Sequence, residues 1–345
     1  MKKLLTVTSL CLSAMLAGAL AACGEKATPT TLSFAGDLQA LYGEGGYPQA
    51  VLVAKTSVLT SDEGAVGTLM GYFEGSENYL KTADGAAVAE LLKGKYPSGQ
   101  TTSFNAKNLT STVIENCSVR FVKSADCKEK VNAFLQKLVG VNDEFTTTVG
   151  DAFYYTGTPA AAESRGTYTV YAPDGAPALS LANAIQSGTD SFSYHIVAAS
   201  AIQTQVTGEN PAADFCVLPV NVAAKLLGNG QKYQMLGTVT HGNMYFLGAG
   251  EQATLTAENL ATALKGKIIG VVQLANVPGL TLRCVLEEKN IPYEILGNDS
   301  KVTDKNKVYL KAIQDAATGV TPAGGCDYYL CPEPAASAKV SAFQK

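Results

Sequence analysis

Tyr171-Ala172-Pro173-Asp174-Gly175-Ala176-Pro177-Ala178 is the stretch that decides the fold. Thr167–Tyr171 is an apolar run of strand type, and it ends in a turn of small and polar residues. Pro177 then takes the favoured first position of a helix that the pattern carries to about Gln186. Strand, glycine-bearing turn and helix in that order open a βαβ unit, and the order recurs downstream. Ser193–Val197 reads as a strand, followed by a short helix that ends before Gly208. Asp214–Leu218 is a third strand, leading through Pro219 into a helix that stops at Gly228, and Tyr233–Val239 is a fourth. Strands spaced by helices of about ten residues predict right-handed crossovers and a mostly parallel sheet.

A second run begins after Gly248–Gly250. Thr256 is a candidate N-cap with Glu258 in the first turn, Leu260 and Leu264 share a face, and Gly266 ends the helix. Lys267–Gln273 reads as a strand, Pro278–Lys289 as a helix, Tyr293–Leu296 as a strand and Lys307–Ala317 as a helix. Asp327–Leu330 is a short strand running into Cys331-Pro332-Glu333-Pro334. Before Thr167 the pattern differs. One strong strand, Ala50–Lys55, follows Gly45-Gly46-Tyr47-Pro48-Gln49, and helices are predicted around Gly64–Lys81, Ala86–Lys93, Asn108–Asn116 and Ser124–Val139. Thr156–Gly166, rich in Ala, Gly, Pro and Thr, reads as a flexible linker. The fold class is therefore α/β, with two units that each hold a mostly parallel sheet flanked by helices.

The chain of 345 residues begins with Lys2 and Lys3, an apolar run, and Leu20-Ala21-Ala22-Cys23. A basic start, a short apolar segment and small residues before a cysteine read as a secretory signal. They resemble the lipobox of bacterial lipoproteins, which implies that Cys23 is lipidated and that the body sits outside a membrane. A hydrophobic content of 46% supports a substantial core, while the net charge of -4 and the lack of a basic patch argue against nucleic acid. Of the 8 cysteines, Cys11 lies in the leader and Cys23 at its end. An extracytoplasmic location permits disulfides. Cys117 with Cys127, each near a predicted helix terminus, is the favoured pair; Cys326 with Cys331 is a second candidate, and free buried thiols are the alternative for Cys216 and Cys284. No metal site is expected, because the cysteine spacings are not those of zinc knuckles and His195 and His241 lie far away.

Open α/β sheets bind ligands at the turns beyond the carboxyl ends of their strands. The candidate ligand-binding residues follow from that rule: Asp174, Gly175, Ala176 and Pro177 after the first strand, Asn221 after the third, and Thr240, His241, Gly242 and Asn243 after the fourth. In the second unit Gln273, Asn276, Pro278 and Gly279 offer amides and free helix N–H groups suited to an anion. Tyr328 and Glu333 complete the set. No G-x-S-x-G elbow, P-loop, H-E-x-x-H or post-strand G-x-G-x-x-G is present. No catalytic residues and no cofactor are therefore expected.

Tyr171–Ala178, Ala213-Asp214-Phe215-Cys216-Val217-Leu218-Pro219, Gly237-Thr238-Val239, Leu264–Lys267 leading to Gly270-Val271, Pro332–Ala335 and Gly46–Leu52 together resemble one family. It is the nitrate, sulfonate, taurine and thiamine-precursor group of substrate-binding proteins that serve ABC importers. The resemblance implies a two-lobed periplasmic-binding-protein fold of type II, a small molecule held between the lobes, closure on binding, and delivery to a membrane permease. In the family, the Tyr-Pro-Gln strand follows the Glu-Pro segment, whereas here it comes first, so the chain resembles a circular permutation. Expected boundaries are a signal peptide over 1–22, a tether over 23–30, lobe I over 31–248, lobe II over 249–338 and a tail over 339–345 that returns towards lobe I. Within lobe I, 31–155 corresponds to the family's C-terminal part, 156–166 to the linker and 167–248 to its N-terminal part. Lobe II then hangs from one crossover. The expected protein is an extracytoplasmic, lipid-anchored monomer that captures a sulfonate- or nitrate-like anion or a pyrimidine. A ligand-sensing or adhesive surface lipoprotein is the alternative, and a pyrimidine-synthesising enzyme of the same superfamily a more distant one, since its cysteine-rich iron-binding motif is missing.

Overall fold

Twelve strands carry the architecture: β1 (Leu32–Asp37), β2 (Ala50–Lys55), β3 (Val119–Lys123), β4 (Tyr168–Pro173), β5 (Phe192–Val197), β6 (Phe215–Pro219), β7 (Tyr233–Thr240), β8 (Met244–Ala249), β9 (Ile268–Val272), β10 (Tyr293–Leu296), β11 (Val308–Ile313) and β12 (Tyr328–Pro332). The structure is a computed structural model, and it describes residues 28–297 and 302–344. The expected signal peptide, the lipidation site Cys23 and most of the tether lie outside the described residues. No helix among the described residues is long and apolar enough to cross a membrane.

The strands form two six-stranded sheets, each with helices packed against it. The first has the order β3-β7-β2-β6-β4-β5 and the second the order β1-β8-β12-β9-β11-β10. Both are mixed; the second keeps the mostly parallel character that the alternation predicts, while in the first antiparallel pairings outnumber parallel ones. β4 pairs in parallel with β5 and β6, but β2 runs antiparallel to β6 and β7, and β3 antiparallel to β7. In the second sheet β9, β10, β11 and β12 run parallel, while β8 and then β1 add antiparallel. β2 and β8, the strands that directly follow a crossing from the other sheet, both run against their neighbours.

Burial explains which segments became central. β2 (Ala-Val-Leu-Val-Ala-Lys) and β6 (Phe-Cys-Val-Leu-Pro) are buried on both faces, as continuous apolar runs require. β5 alternates buried Phe192, Tyr194 and Ile196 with half-exposed Ser193, His195 and Val197, the signature of an edge strand. One apolar cluster joins the halves, including Val51, Cys216 and Leu218 of the first sheet and Ile269, Val271 and Leu330 of the second. The helix Ser124–Val141 of the first half packs against the helix Val277–Glu288 of the second. There Arg283 Nη2 donates to Val141 O over 2.9 Å, and Lys137 pairs with Glu288 at 2.6 Å.

Several expectations are corrected. Lys307–Ala317 is not a helix, because β11 occupies Val308–Ile313 between β9 and β10. The boundary at residue 248 falls inside β8, which belongs to the second sheet, as does β1. Residues 31–49 and 244–248 therefore do not build lobe I. The chain crosses between the sheets twice, at Gly43–Gln49 and at His241–Asn243, so the second half does not hang from one connection. Thr156–Gly166 is a strap and not a free linker. Thr68 Oγ1 donates to Ala162 O, and the Arg165 amide donates to the buried Asp62 carboxylate at 2.6 Å. Gly67 has no Cβ because one would stand 2.5 Å from Ala160 O.

Cys117 and Cys127 are not paired, and all six cysteines of the described residues are free. Cys117 belongs to the apolar cluster with Leu52 and Phe215, and Cys127 to the cluster with Val51 and Cys216, so the first sheet stands between the two thiols. Cys326 and Cys331 share a cluster but are likewise free.

Candidate functional site: a polar seam and cavity between the sheets

Both crossings meet at one seam. Gln49 immediately precedes β2, and its backbone N–H donates to Thr240 O while its carbonyl accepts from Val220 N, each at 3.0 Å. Its side chain is locked onto Asn243: Gln49 Nε2 donates to Asn243 Oδ1 at 2.6 Å, and the Asn243 amide donates to Gln49 Oε1 at 3.1 Å. Asn243 Nδ2 donates to Glu333 O at 2.8 Å, and Glu333 N donates back to Asn243 O at 2.8 Å. One asparagine thus ties together the two crossings and the end of β12. Gly46 is required here by its φ of +61° and by His241 O, which lies 2.1 Å from where a Cβ would stand.

Glu333 is 0% exposed. Its carboxylate accepts from Ser337 Oγ at 2.6 Å and Ser337 N at 3.0 Å, with Asn116 Nδ2 of the first half at 3.5 Å. Burial and this carboxylate push the Cys117 thiol well up from its ordinary value.

Beside the seam lies a cavity of about 900 Å³, within the range of small-molecule pockets. Asp37, Gln39 and the glycine loop Gly43–Gly46 form one wall. Glu77 and Lys81 of the helix Glu63–Thr82, Ser111 and Glu115 of the helix Ser111–Asn116, and Ser118, Arg120 and His241 form the other. His241 Nε2 lies 3.0 Å from Arg120 O and 3.3 Å from Thr238 Oγ1, whereas Nδ1 has no partner. Burial, with Arg120 nearby, lowers its pKa to about 4, so the ring is neutral at physiological pH. A second recess of about 870 Å³ runs beside the edge strand β5, where the rings of Tyr171 and His195 stack at 4.7 Å.

Among the expected ligand-binding residues, only His241 lines the interlayer cavity. Gly242, Asn243 and Glu333 form the seam, and Thr240 caps it with a buried hydroxyl that has no partner. Asn221 is buried and donates through Nδ2 to Phe145 O at 3.0 Å, leaving its Oδ1 unpaired. Asp174 is already engaged, accepting from Tyr96 Oη at 2.6 Å, from Ser103 N at 3.2 Å and from Ser103 Oγ. Gly175, with φ of +103°, leads into a four-residue helix holding Ala176 and Pro177. That helix is too short to gather the free N–H groups expected of an anion site.

Gln273, Asn276, Pro278 and Gly279 form a self-contained turn. Asn276 N donates to Gln273 O, and Gly279 is required because a Cβ would stand 2.0 Å from Leu274 O. Tyr328 is corrected outright: it is a core residue whose hydroxyl donates to Ala253 O at 2.9 Å. The cavity residues that strand-end reasoning missed are Asp37, Glu77, Glu115 and Arg120. They come from β1, from helix faces and from β3, and their only signal was charge on elements next to a glycine-rich loop. Among the described residues, no group of three or more His, Cys, Asp or Glu side chains could hold a metal ion.

Neither protein-family models, nor curated proteins, nor solved structures match this chain.

Proposed function

We propose that the chain is an extracytoplasmic, lipid-anchored solute-binding protein of the nitrate, sulfonate, taurine and thiamine-precursor type, capturing a small molecule between two lobes for an ABC importer. The observation that carries this reading is the placement of the cavity. It is walled from both halves and lies against the two short crossings that join them, where a hinge motion opens and closes a site. A ligand touching both walls stabilises the closed arrangement over the open one, and that differential affinity is all such capture requires.

The permuted order is part of the proposal. The helix Ala335–Phe343 packs against β1, so the end of the described chain lies beside the element that would follow it in the family order. The rearrangement would place the break at the strap 156–166, on the surface. A thermal-shift panel on the full, detergent-solubilised chain tests the function, with sulfonates, nitrate, pyrimidine thiamine precursors, amino acids and amines. A specific ligand raises the melting temperature in proportion to the logarithm of its concentration above Kd. A flat response to every class would overturn the reading.

A further inference from the structure

β5 is the outer strand of its sheet, and part of its free edge is open. Tyr168 N donates to Ser191 O and Asp174 N to Val197 O, each at 2.8 Å, so the odd-numbered residues of this stretch turn their backbone groups towards β4. The even-numbered ones face away, as alternation in a parallel ladder requires. Ile196 is already used, because its N–H donates to Lys95 O at 2.9 Å. Among the described residues nothing bonds to the Tyr194 N–H, the Tyr194 carbonyl or the Phe192 carbonyl. Phe192 and Tyr194 both line the second recess, of about 870 Å³.

Those three open groups form a template for added backbone. A strand laid in parallel gives the carbonyl of its first residue to the Tyr194 N–H and the N–H of its third residue to the Tyr194 carbonyl. Its first N–H falls to the Phe192 carbonyl. The carbonyl of the third residue would need the Ile196 N–H, which Lys95 O already holds, so the added strand ends there.

Charge sets the direction. With His195 neutral, Asp190 and Lys95 are the charged residues that line the recess, and neither enters an ion pair among the described residues. Asp190 precedes the start of β5. Lys95 lies at the far end, where burial and its ammonium lower the pKa of His195. Tyr96, in the same wall, is committed to Asp174 at 2.6 Å. In the parallel direction the ammonium of a short peptide lies by Asp190 and its carboxylate by Lys95, whereas the antiparallel direction sets like charges together. Asp190 is exposed, so these charges choose the direction and add little strength.

We propose that the recess beside β5 binds a free tripeptide, added in parallel to the sheet edge with its amino end at Asp190 and its carboxyl end at Lys95. No residue lines both this recess and the seam cavity, so the inference goes beyond solute capture there and stands without it.

Isothermal titration of the full, detergent-solubilised chain tests this with three probes: trialanine, trialanine N-methylated at its third residue, and trialanine acetylated and amidated at its ends. Trialanine should bind. The N-methylated probe lacks the N–H that meets the Tyr194 carbonyl and should bind about tenfold more weakly. Asp190→Asn and Lys95→Gln should each weaken trialanine about threefold, and blocking both ends of the peptide about tenfold. The two modified peptides leave the protein unchanged, so they carry the test if either variant is unstable. Silence from trialanine at millimolar concentration, or equal binding of the N-methylated probe, would overturn the inference. So would an end-blocked peptide bound as tightly as the free one, which would mark the edge as a site for a segment of a longer chain.

Discussion

Asn243→Ala removes two side-chain hydrogen bonds at the seam: the 2.6 Å bond from Gln49 Nε2 and the 2.8 Å bond to Glu333 O. The side chain is 1% exposed, so water does not replace them. Each deserted partner costs about 1–3 kcal/mol when buried, and the half-buried Gln49 belongs at the lower end of that range. The expected loss is about 2–4 kcal/mol, read from urea unfolding followed by circular dichroism. Gln49→Ala should cost about 2–4 kcal/mol as well, since it deserts two groups of the buried Asn243, Oδ1 and the backbone amide. The two residues share bonds, so the double variant should be more stable than the sum of the single losses by about 1 kcal/mol or more. A loss under about 0.5 kcal/mol for Asn243→Ala, with additivity in the cycle, would refute the claim that this asparagine ties the crossings together.

Gly279→Ala should lower the melting temperature sharply, because its Cβ would overlap Leu274 O at 2.0 Å, whereas Gly71→Ala, on an exposed helical position with nothing within 4 Å, should stabilise by about 0.5–1 kcal/mol. Cys117 and Cys127, both buried with their thiols shifted up, should label with maleimide only on unfolding and show no mutual disulfide by mass spectrometry; a native Cys117–Cys127 bridge would contradict the interposed sheet. His241 has a folded pKa of about 4 against 6.5 unfolded, so the unfolded chain takes up a proton first as pH falls. Stability should therefore drop through that window by about 3 kcal/mol relative to His241→Gln, and no further below it, as urea midpoints at each pH will show. A rearranged chain beginning at Thr167 and ending at Tyr155, with its old ends joined by a short Gly/Ser linker, should fold with a matching circular dichroism spectrum. Failure to fold would count against the packing of the helix Ala335–Phe343 on β1 as a contact that bridges the ends.

What the residues disclosed depended on how strongly local pattern and tertiary position agreed. β2, β6 and β7 were legible because continuous apolar runs bounded by Gly or Pro can only be buried strands at that length. β11 was not, because Val-Tyr-Leu-Lys-Ala-Ile places its apolar residues at spacings that suit either period, and only pairing with β9 and β10 decides. β1 and β3 are short edge strands carrying Gly36 and Arg120, whose partners lie roughly two hundred and one hundred residues away in sequence, a separation that no window detects. The parallel character of the first sheet was over-read for a related reason: β-α alternation reports local connections, while the antiparallel β2 and β3 enter from elsewhere in the chain.

The site followed the same division. Strand-end turns led to His241, Asn243 and Glu333; His241 lines the cavity, while Asn243 and Glu333 bind one another in the seam where the crossings meet. A strand end in a two-sheet protein faces either the cavity or the crossing, and periodicity does not separate the two. Glu333 shows the difference most clearly. Flanking prolines suggested rigid placement, and the carboxylate is indeed fixed, by Ser337 and Asn116. Its three neutral donors and complete burial account for its fixed placement. Among the described residues the groups that carry no partner, Glu115 and the His241 Nδ1, come from elements that no single motif unites. Specificity in such a cavity is written by what the fold leaves unpaired, which is a property of the assembled surface and becomes visible only once every other donor and acceptor has been assigned.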